Sequence, residues 1–399
     1  MKIYVFVIIM IAVLLLSGCT QPKPTLETNA TEQDVSNLVD ANNKFAFDKF
    51  NYYQNKGEEN LFLSPYSISN AMGMVYEGAN GQTKYEIQSV FHYPKNSDQA
   101  TAYMYNLLNS NSKEYQLNTA NALWIKDDFD IKQNYIETIQ DYYGGEITKL
   151  DFNQAEQSRQ TINSWVELQT NDKIKDLLPQ GSINGLNRVI LTNAIYFKGE
   201  WVKEFDKCAT KERPFYLADN KNIMIDTMYQ KNGFEYMENN NVQVLQMDYK
   251  GNDLSMMIIL PKINNQQTID NLSYGQIKSW RSQLYENEVK VYMPKFKLEN
   301  KYSMKNALIE MGMPTTFTED ADLTSIAKDL YISSIIHQTY IEVDEKGTEA
   351  AAATGITLST SAAAPGNGII FNANHPFVYI IQENNTGEIL FIGKMDNPK

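Results

Sequence analysis

Residues 345–354 read Glu-Lys-Gly-Thr-Glu-Ala-Ala-Ala-Ala-Thr, and no other stretch of the 399-residue chain constrains its fold as tightly. A charged lead-in and one glycine open a run of very small side chains. A polar Gly/Ser/Thr/Ala/Pro-rich segment, 355–368, follows, and after it come two apolar, strand-like runs. Side chains this small give a segment little to pack with as a core element, yet let it fit a gap between other strands. Three readings are open. One is a slack surface loop. Alanine is the best helix former and Thr348 can cap a helix, so a second is a plain alanine-rich helix. The third is a strand waiting to be inserted into a sheet.

Composition sets the frame for that choice. A chain that is 43% hydrophobic can bury a large core. Strand-like runs recur to the last residues without an internal linker, which favours one large domain over 35–399. The net charge of −13, the pI near 4.9 and the lack of a dense Lys/Arg run argue against several partners. Nucleic acid, heparin-type polyanions and anionic membrane surfaces are among them.

The N-terminus reads as targeting. Met1-Lys2 is a short basic start, and the apolar run Ile3–Leu16 is too short for a comfortable membrane span. It ends in Leu16-Ser17-Gly18-Cys19, which resembles the lipobox of exported lipoproteins. The expectation is a signal peptide over 1–18, a lipidated Cys19, and a flexible tether over 19–34 rich in Pro, Thr, Asn and Gln. The domain would then sit on the extracytoplasmic face of the membrane, held by lipid alone, or outside the cell if released. Cys208 would have no partner in the chain, so no disulfide is expected.

Apolar spacing predicts helices over 35–54, 82–91, 98–110, 131–142 and 155–171. Runs rich in β-branched and aromatic residues predict strands over 118–126, 188–198, 254–260, 289–299, 369–381 and 388–395. Helices dominate the first half and strands the second, so the expected class is α+β with large antiparallel sheets. Pro294 inside 289–299 demands an edge or a bulge. No enzyme chemistry stands out. The three histidines, His92, His337 and His375, fit no zinc pattern, and no Cys-x-x-Cys, phosphate-binding loop or nucleophile elbow occurs. Asp127, Asp128 and Asp130 lack the glycine and terminal glutamate of a calcium loop. No cofactor or metal is expected, and no catalytic role.

Several separated motifs, in order, resemble the serpin family from about Val35 to the C-terminus. They are Asn60-Leu-Phe-Leu-Ser64-Pro65-Tyr-Ser67-Ile68, Thr192-Asn193-Ala-Ile-Tyr-Phe197-Lys198-Gly199-Glu-Trp201 and Val291-Tyr-Met-Pro294-Lys295-Phe296. Ala321-Asp322-Leu323, His337, the 345–354 hinge, His375-Pro376-Phe377 and Phe391-Ile392-Gly393-Lys394 complete the set. The resemblance implies a serpin fold: a helical cluster, a central sheet able to accept one more strand, and an exposed reactive-centre loop at about 345–368. It also implies a protease inhibitor acting as a suicide substrate, whose cleaved loop inserts and traps the acyl-enzyme.

That resemblance turns the reading of the hinge in favour of the strand. Its residues would be Glu345, Gly347, Thr348, Glu349, Ala350, Ala351, Ala352, Ala353 and Thr354, with Thr348, Ala350, Ala352 and Thr354 on one face. Ser64, Ser67, Asn193 and His337 align with a polar network that holds the sheet closed, and Trp201 with the tryptophan where the hinge enters. Each also has a plainer reading as a helix cap, a satisfied core polar group or a core aromatic. Glu345 and Lys295 align with an ion pair, worth about 1 kcal/mol or less if exposed.

The family's customary hinge length puts the scissile bond at Ser361–Ala362. The loop beyond is several residues longer than usual, so Leu358, Thr360 and Ala363 stay open. The small neighbours suit an elastase- or subtilisin-like serine protease, while a cut at Leu358 would suit a chymotrypsin-like one. A cysteine protease is a further possible partner, and 347–371 carries no Arg or Lys for a trypsin-like pocket. A non-inhibitory serpin acting as a binding module and an unrelated extracytoplasmic lipoprotein are the alternatives.

Overall fold

The computed structural model describes residues 25–109, 114–219, 221–262, 266–270, 272–348 and 368–399. Helices come first: α1 (Glu32–Asn55), β1 (Leu61–Leu63), α2 (Pro65–Gly78), α3 (Gly81–Phe91), α4 (Ser97–Asn109), β2 (Tyr115–Lys126), α5 (Gln133–Tyr142), β3 (Glu146–Leu150), α6 (Ala155–Gln169) and β4 (Val189–Glu200). Then strands dominate: β5 (Lys211–Tyr216), β6 (Asn222–Glu238), β7 (Val242–Asp248), β8 (Leu254–Pro261), α7 (Tyr274–Arg281), β9 (Tyr285–Pro294), β10 (Phe296–Ser303) and α8 (Met304–Glu310). The chain closes with β11 (Ile332–Val343), β12 (Gly347–Thr348), β13 (Ile369–Asn372), β14 (Phe377–Glu383) and β15 (Ile389–Met395).

Local chemistry explains the helix that matters most for the site. The Ser64 hydroxyl accepts the Ser67 N–H at the start of α2, and Pro65 supplies the preset φ of a first helical turn. Helix α2 is buried almost throughout. It packs on β4 and β2 of one sheet and β15 of the other. On the far side of the first sheet, α6 places Ile162, Trp165 and Val166 against Trp124, Ala120, Tyr196 and Tyr340.

The sheet beneath α6 has the order β10-β11-β12-β4-β2-β3. The larger one runs β1-β15-β14-β8-β7-β6-β9-β13, with β5 paired to β6. The α+β class is as expected, but the sheets are mixed. Strands β4 and β11, β2 and β3, and β9 and β13 run parallel, and the other pairs are antiparallel.

Two expected strands are each divided. The 289–299 run ends one strand at Pro294 and starts another at Phe296, crossing from the larger sheet to the smaller through Lys295. Pro294 pairs with Thr227 of β6, while β13 reaches only Tyr292, so the proline sits where one side of β9 is uncovered. The 369–381 run breaks between Asn372 and Phe377. The described part of the expected tether is packed: Leu26 is buried and exchanges hydrogen bonds with the Asn106 side chain, and Thr31 caps α1.

Candidate strand-accepting site

Strands β4 and β11 are direct parallel neighbours from Val189–Ile332 to Tyr196–Tyr340. Beyond that point they part, and β12 lies between them, antiparallel to both. Thr348 faces Val343 on one side and Gly199 on the other, and Gly347 faces Glu200. Gly347 and Thr348 of the hinge are therefore already strand, which decides against a helix at this point. Glycine is required at 347 by a close approach, because an added Cβ would collide with the Gly199 carbonyl.

Trp201 anchors this mouth. Its ring is fully buried and stacks on Tyr249 at 4.5 Å, its backbone N–H donates to Lys346 O at 2.7 Å, and its indole N–H donates to Asp344 O at 3.1 Å. The Tyr249 hydroxyl shares a 2.6 Å hydrogen bond with the Thr348 hydroxyl. Both groups lie out of water, so each needs the other. Below them Glu345 pairs with Lys295 at 2.9 Å and accepts from Thr210 at 2.8 Å. Glu345 is only 3% exposed, so the small value that would hold for an exposed pair does not apply. Burial pushes its pKa up, and the hydrogen bonds from Lys295, its own backbone and Thr210 outweigh that, leaving it lowered.

Deeper between the sheets, the expected network is assembled. Ser64 Oγ donates to Leu390 O at 2.7 Å, and the Ser64 N–H donates to His337 Nε2 at 3.2 Å. That bond makes Nε2 the acceptor and puts the ring proton on Nδ1, which faces Asn193 Oδ1 across the β4–β11 pair. The Asn193 amide donates to Ser67 O at 2.9 Å and also reaches Ser67 Oγ and Asn121 Oδ1. Burial, reinforced by the charge of Lys49, holds the His337 pKa down at about 3, so the ring is neutral. The His337–Asn193 bond ties β11 to β4 across the seam that β12 would have to open. Trp201 belongs to the mouth and not to this latch.

Two partners escaped sequence reasoning. Asn121 on β2 completes the latch, and Tyr249 holds Thr348. Each is a single polar or aromatic residue in a strand region, with no local signal to separate it from core. His92 pairs with Asp48 at the surface, and His375 bonds Pro261 O at 2.7 Å. Among the described residues, no cluster of three or more potential metal ligands occurs. Cys208 is free and exposed. Glu349, Ala350, Ala351, Ala352, Ala353, Thr354, Leu358, Thr360, Ser361, Ala362, Ala363 and Cys19 lie outside the described residues.

Two parallel strands, parted at one end by β12 and bonded to each other lower down through His337 and Asn193, make up the site. The chain belongs to the serpin family, described as serine protease inhibitor, whose model matches residues 40–398. It is 40% identical to an uncharacterized serpin-like protein of Methanosarcina acetivorans, covering 100% of this chain and 99% of that one. It is 37% identical to the leukocyte elastase inhibitor of Xenopus tropicalis, over 91% of this chain and 100% of that one. Human thyroxine-binding globulin, solved in complex with thyroxine, superposes with a TM-score of 0.83 at 27% identity, covering 92% of this chain and 100% of that one. Serpins are in general protease inhibitors and not catalysts, with proteases as partners.

Proposed function

We propose that this chain inhibits a serine protease as a suicide substrate. The loop would be cut near Ser361–Ala362, and the hinge would then continue β12 down the seam between β4 and β11. The register of β12 is the observation that carries this reading. Continued in that register, Ala350 would come opposite Phe197 and Ile341, Ala352 opposite Ile195 and Thr339, and Thr354 opposite Asn193 and His337. Those neighbours are all nearly or fully buried, so the inward face demands small or uncharged side chains, which the sequence supplies. Glu349 would fall on the opposite face, between Lys198 and Glu342, where a charge is tolerated. Thr354 would displace the His337–Asn193 bond, replacing latch with strand.

The small residues around 361 favour an elastase- or subtilisin-like target, a preference in keeping with the elastase named for the frog relative. The thyroxine-bound globulin illustrates the second reading, a binding serpin. We further propose that the protein is exported and held by a lipid on Cys19. Among the described residues no helix is long and apolar enough to cross a membrane.

The deciding experiment mixes the protein with subtilisin or elastase and runs denaturing electrophoresis after boiling. A covalent adduct supports the inhibitor. Loop cleavage without an adduct supports the binding serpin, and no interaction refutes both target choices.

A further inference from the structure

Lys49 is a buried lysine without a hydrogen-bond partner. It sits on the inner face of α1 and is 1% exposed. What surrounds the amine is aromatic: the Tyr53 ring at 4.7 Å and the Tyr52 ring at 5.2 Å. Tyr53 in turn lies 4.5 Å from Tyr302 of β10, and Tyr302 lies in register with His337 of β11, the two rings 6.3 Å apart and nearly parallel. A run of neighbouring rings, tilted at Tyr53–Tyr302 and stacked at Tyr302–His337, therefore leads from the lysine to the latch histidine.

Among the described residues no carboxylate pairs with the amine. Glu58 acts on Tyr53 and Tyr302, and Glu310 is taken by Lys56 and the Tyr52 hydroxyl. Burial alone pulls the Lys49 pKa down to about 7, and the lysine's charge in turn disfavours protonation of His337.

We propose that Lys49 is a proton-sensitive weak point behind the latch: charging its amine places an unpaired cation against the rings that lead to His337 and loosens the closed sheet. The direction follows from linkage. A native pKa near 7 against an unfolded value of about 10.4 means the unfolded chain holds the extra proton throughout the window between them. Stability from this group is then complete only above that window, falls as the pH drops through it, and reaches its floor below about pH 7.

Two measurements test the proposal, on intact wild type and Lys49→Met, with Lys49→Gln as a second variant. The thermal midpoint of wild type is expected to rise by several degrees between about pH 7 and pH 9.5, while that of either variant stays flat. Parallel profiles in wild type and variants overturn the proposal. The second measurement rests on the strand-accepting reading: the rate at which a synthetic peptide of sequence 348–360 is taken up. Wild type is expected to take it up roughly tenfold faster at about pH 6.5 than at about pH 9, with the variants showing a ratio near one. Equal ratios in wild type and variants overturn the link to the latch. Failure of uptake at every pH overturns strand acceptance instead, and the thermal profiles still decide on Lys49.

Discussion

Thr348→Arg separates insertion from simple cleavage. Thr348 is fully buried, its hydroxyl bound to Tyr249, with Val343 and Gly199 as cross-strand partners. None of the three offers a negative charge. An arginine here has two outcomes. It can stay in the sheet as an unpaired buried charge, at a cost of several kcal/mol. Or Gly347 and residue 348 can leave the sheet, which strands the Tyr249 hydroxyl at about 1–3 kcal/mol in the starting form and leaves the charge to be buried when the loop inserts.

Inhibition is a race between insertion and hydrolysis of the acyl-enzyme. A barrier raised by about 3 kcal/mol slows insertion roughly a hundredfold, enough to hand the race to water. The assay is the stoichiometry of inhibition, moles of inhibitor consumed per mole of protease inactivated. Thr348→Arg should remain folded and cleaved in the loop, with the stoichiometry raised at least about tenfold. Glu349→Lys, which an inserted strand would carry on its opposite face, should stay near wild type. A wild-type stoichiometry for Thr348→Arg would refute insertion through this seam.

Other perturbations reach different parts of the molecule. Cutting the loop between 358 and 364 should raise the thermal midpoint, because the freed strand gains ladder hydrogen bonds, and a nicked form that melts at or below the intact one argues against a kinetic trap. The lowered pKa of Glu345 supplies stability above its unfolded value of about 4.3 that is lost as pH falls through the native one. Wild type should therefore lose thermal stability more steeply than Glu345→Gln in that acid range, and equal slopes would show the pair with Lys295 to be idle. Cys19→Ala should free the protein from the membrane fraction or block its maturation, and full retention of the variant would remove the lipid anchor.

Most of the early helices were legible because each carries an apolar stripe at helical spacing. Lys49 shows the limit of that method. Its spacing from Phe45 and Tyr52 puts it on the apolar stripe, but the residue type reads as solvated, and the packing shows that it is buried. Strand β11 was missed for a related reason. Its inward positions include His337, which serves the latch, and Thr339, which donates to Phe62 O, and these polar groups blur the alternation expected of a half-buried strand. The crossing between β9 and β10 leaves no local trace beyond Pro294, since strand composition continues through it. For the site, Ser64, Ser67, Asn193, His337 and Trp201 were named through family motifs, whereas Asn121 and Tyr249 owe their roles to contacts between strands distant in sequence.

The Trp201–Tyr249 stack gives the hinge an intrinsic optical reporter. An indole's emission responds to the hydrogen bond at its nitrogen and to the dipoles around its ring, and here the nitrogen is bound to Asp344 O while the stacked phenol is bound to Thr348. Trp124 and Trp165 pack against each other elsewhere and Trp280 lies on α7. Any movement of residues 344–348 thus changes the surroundings of one chromophore out of four. Spectral drift in an unlabelled sample records the hinge leaving or advancing, without a probe that would itself have to fit the seam.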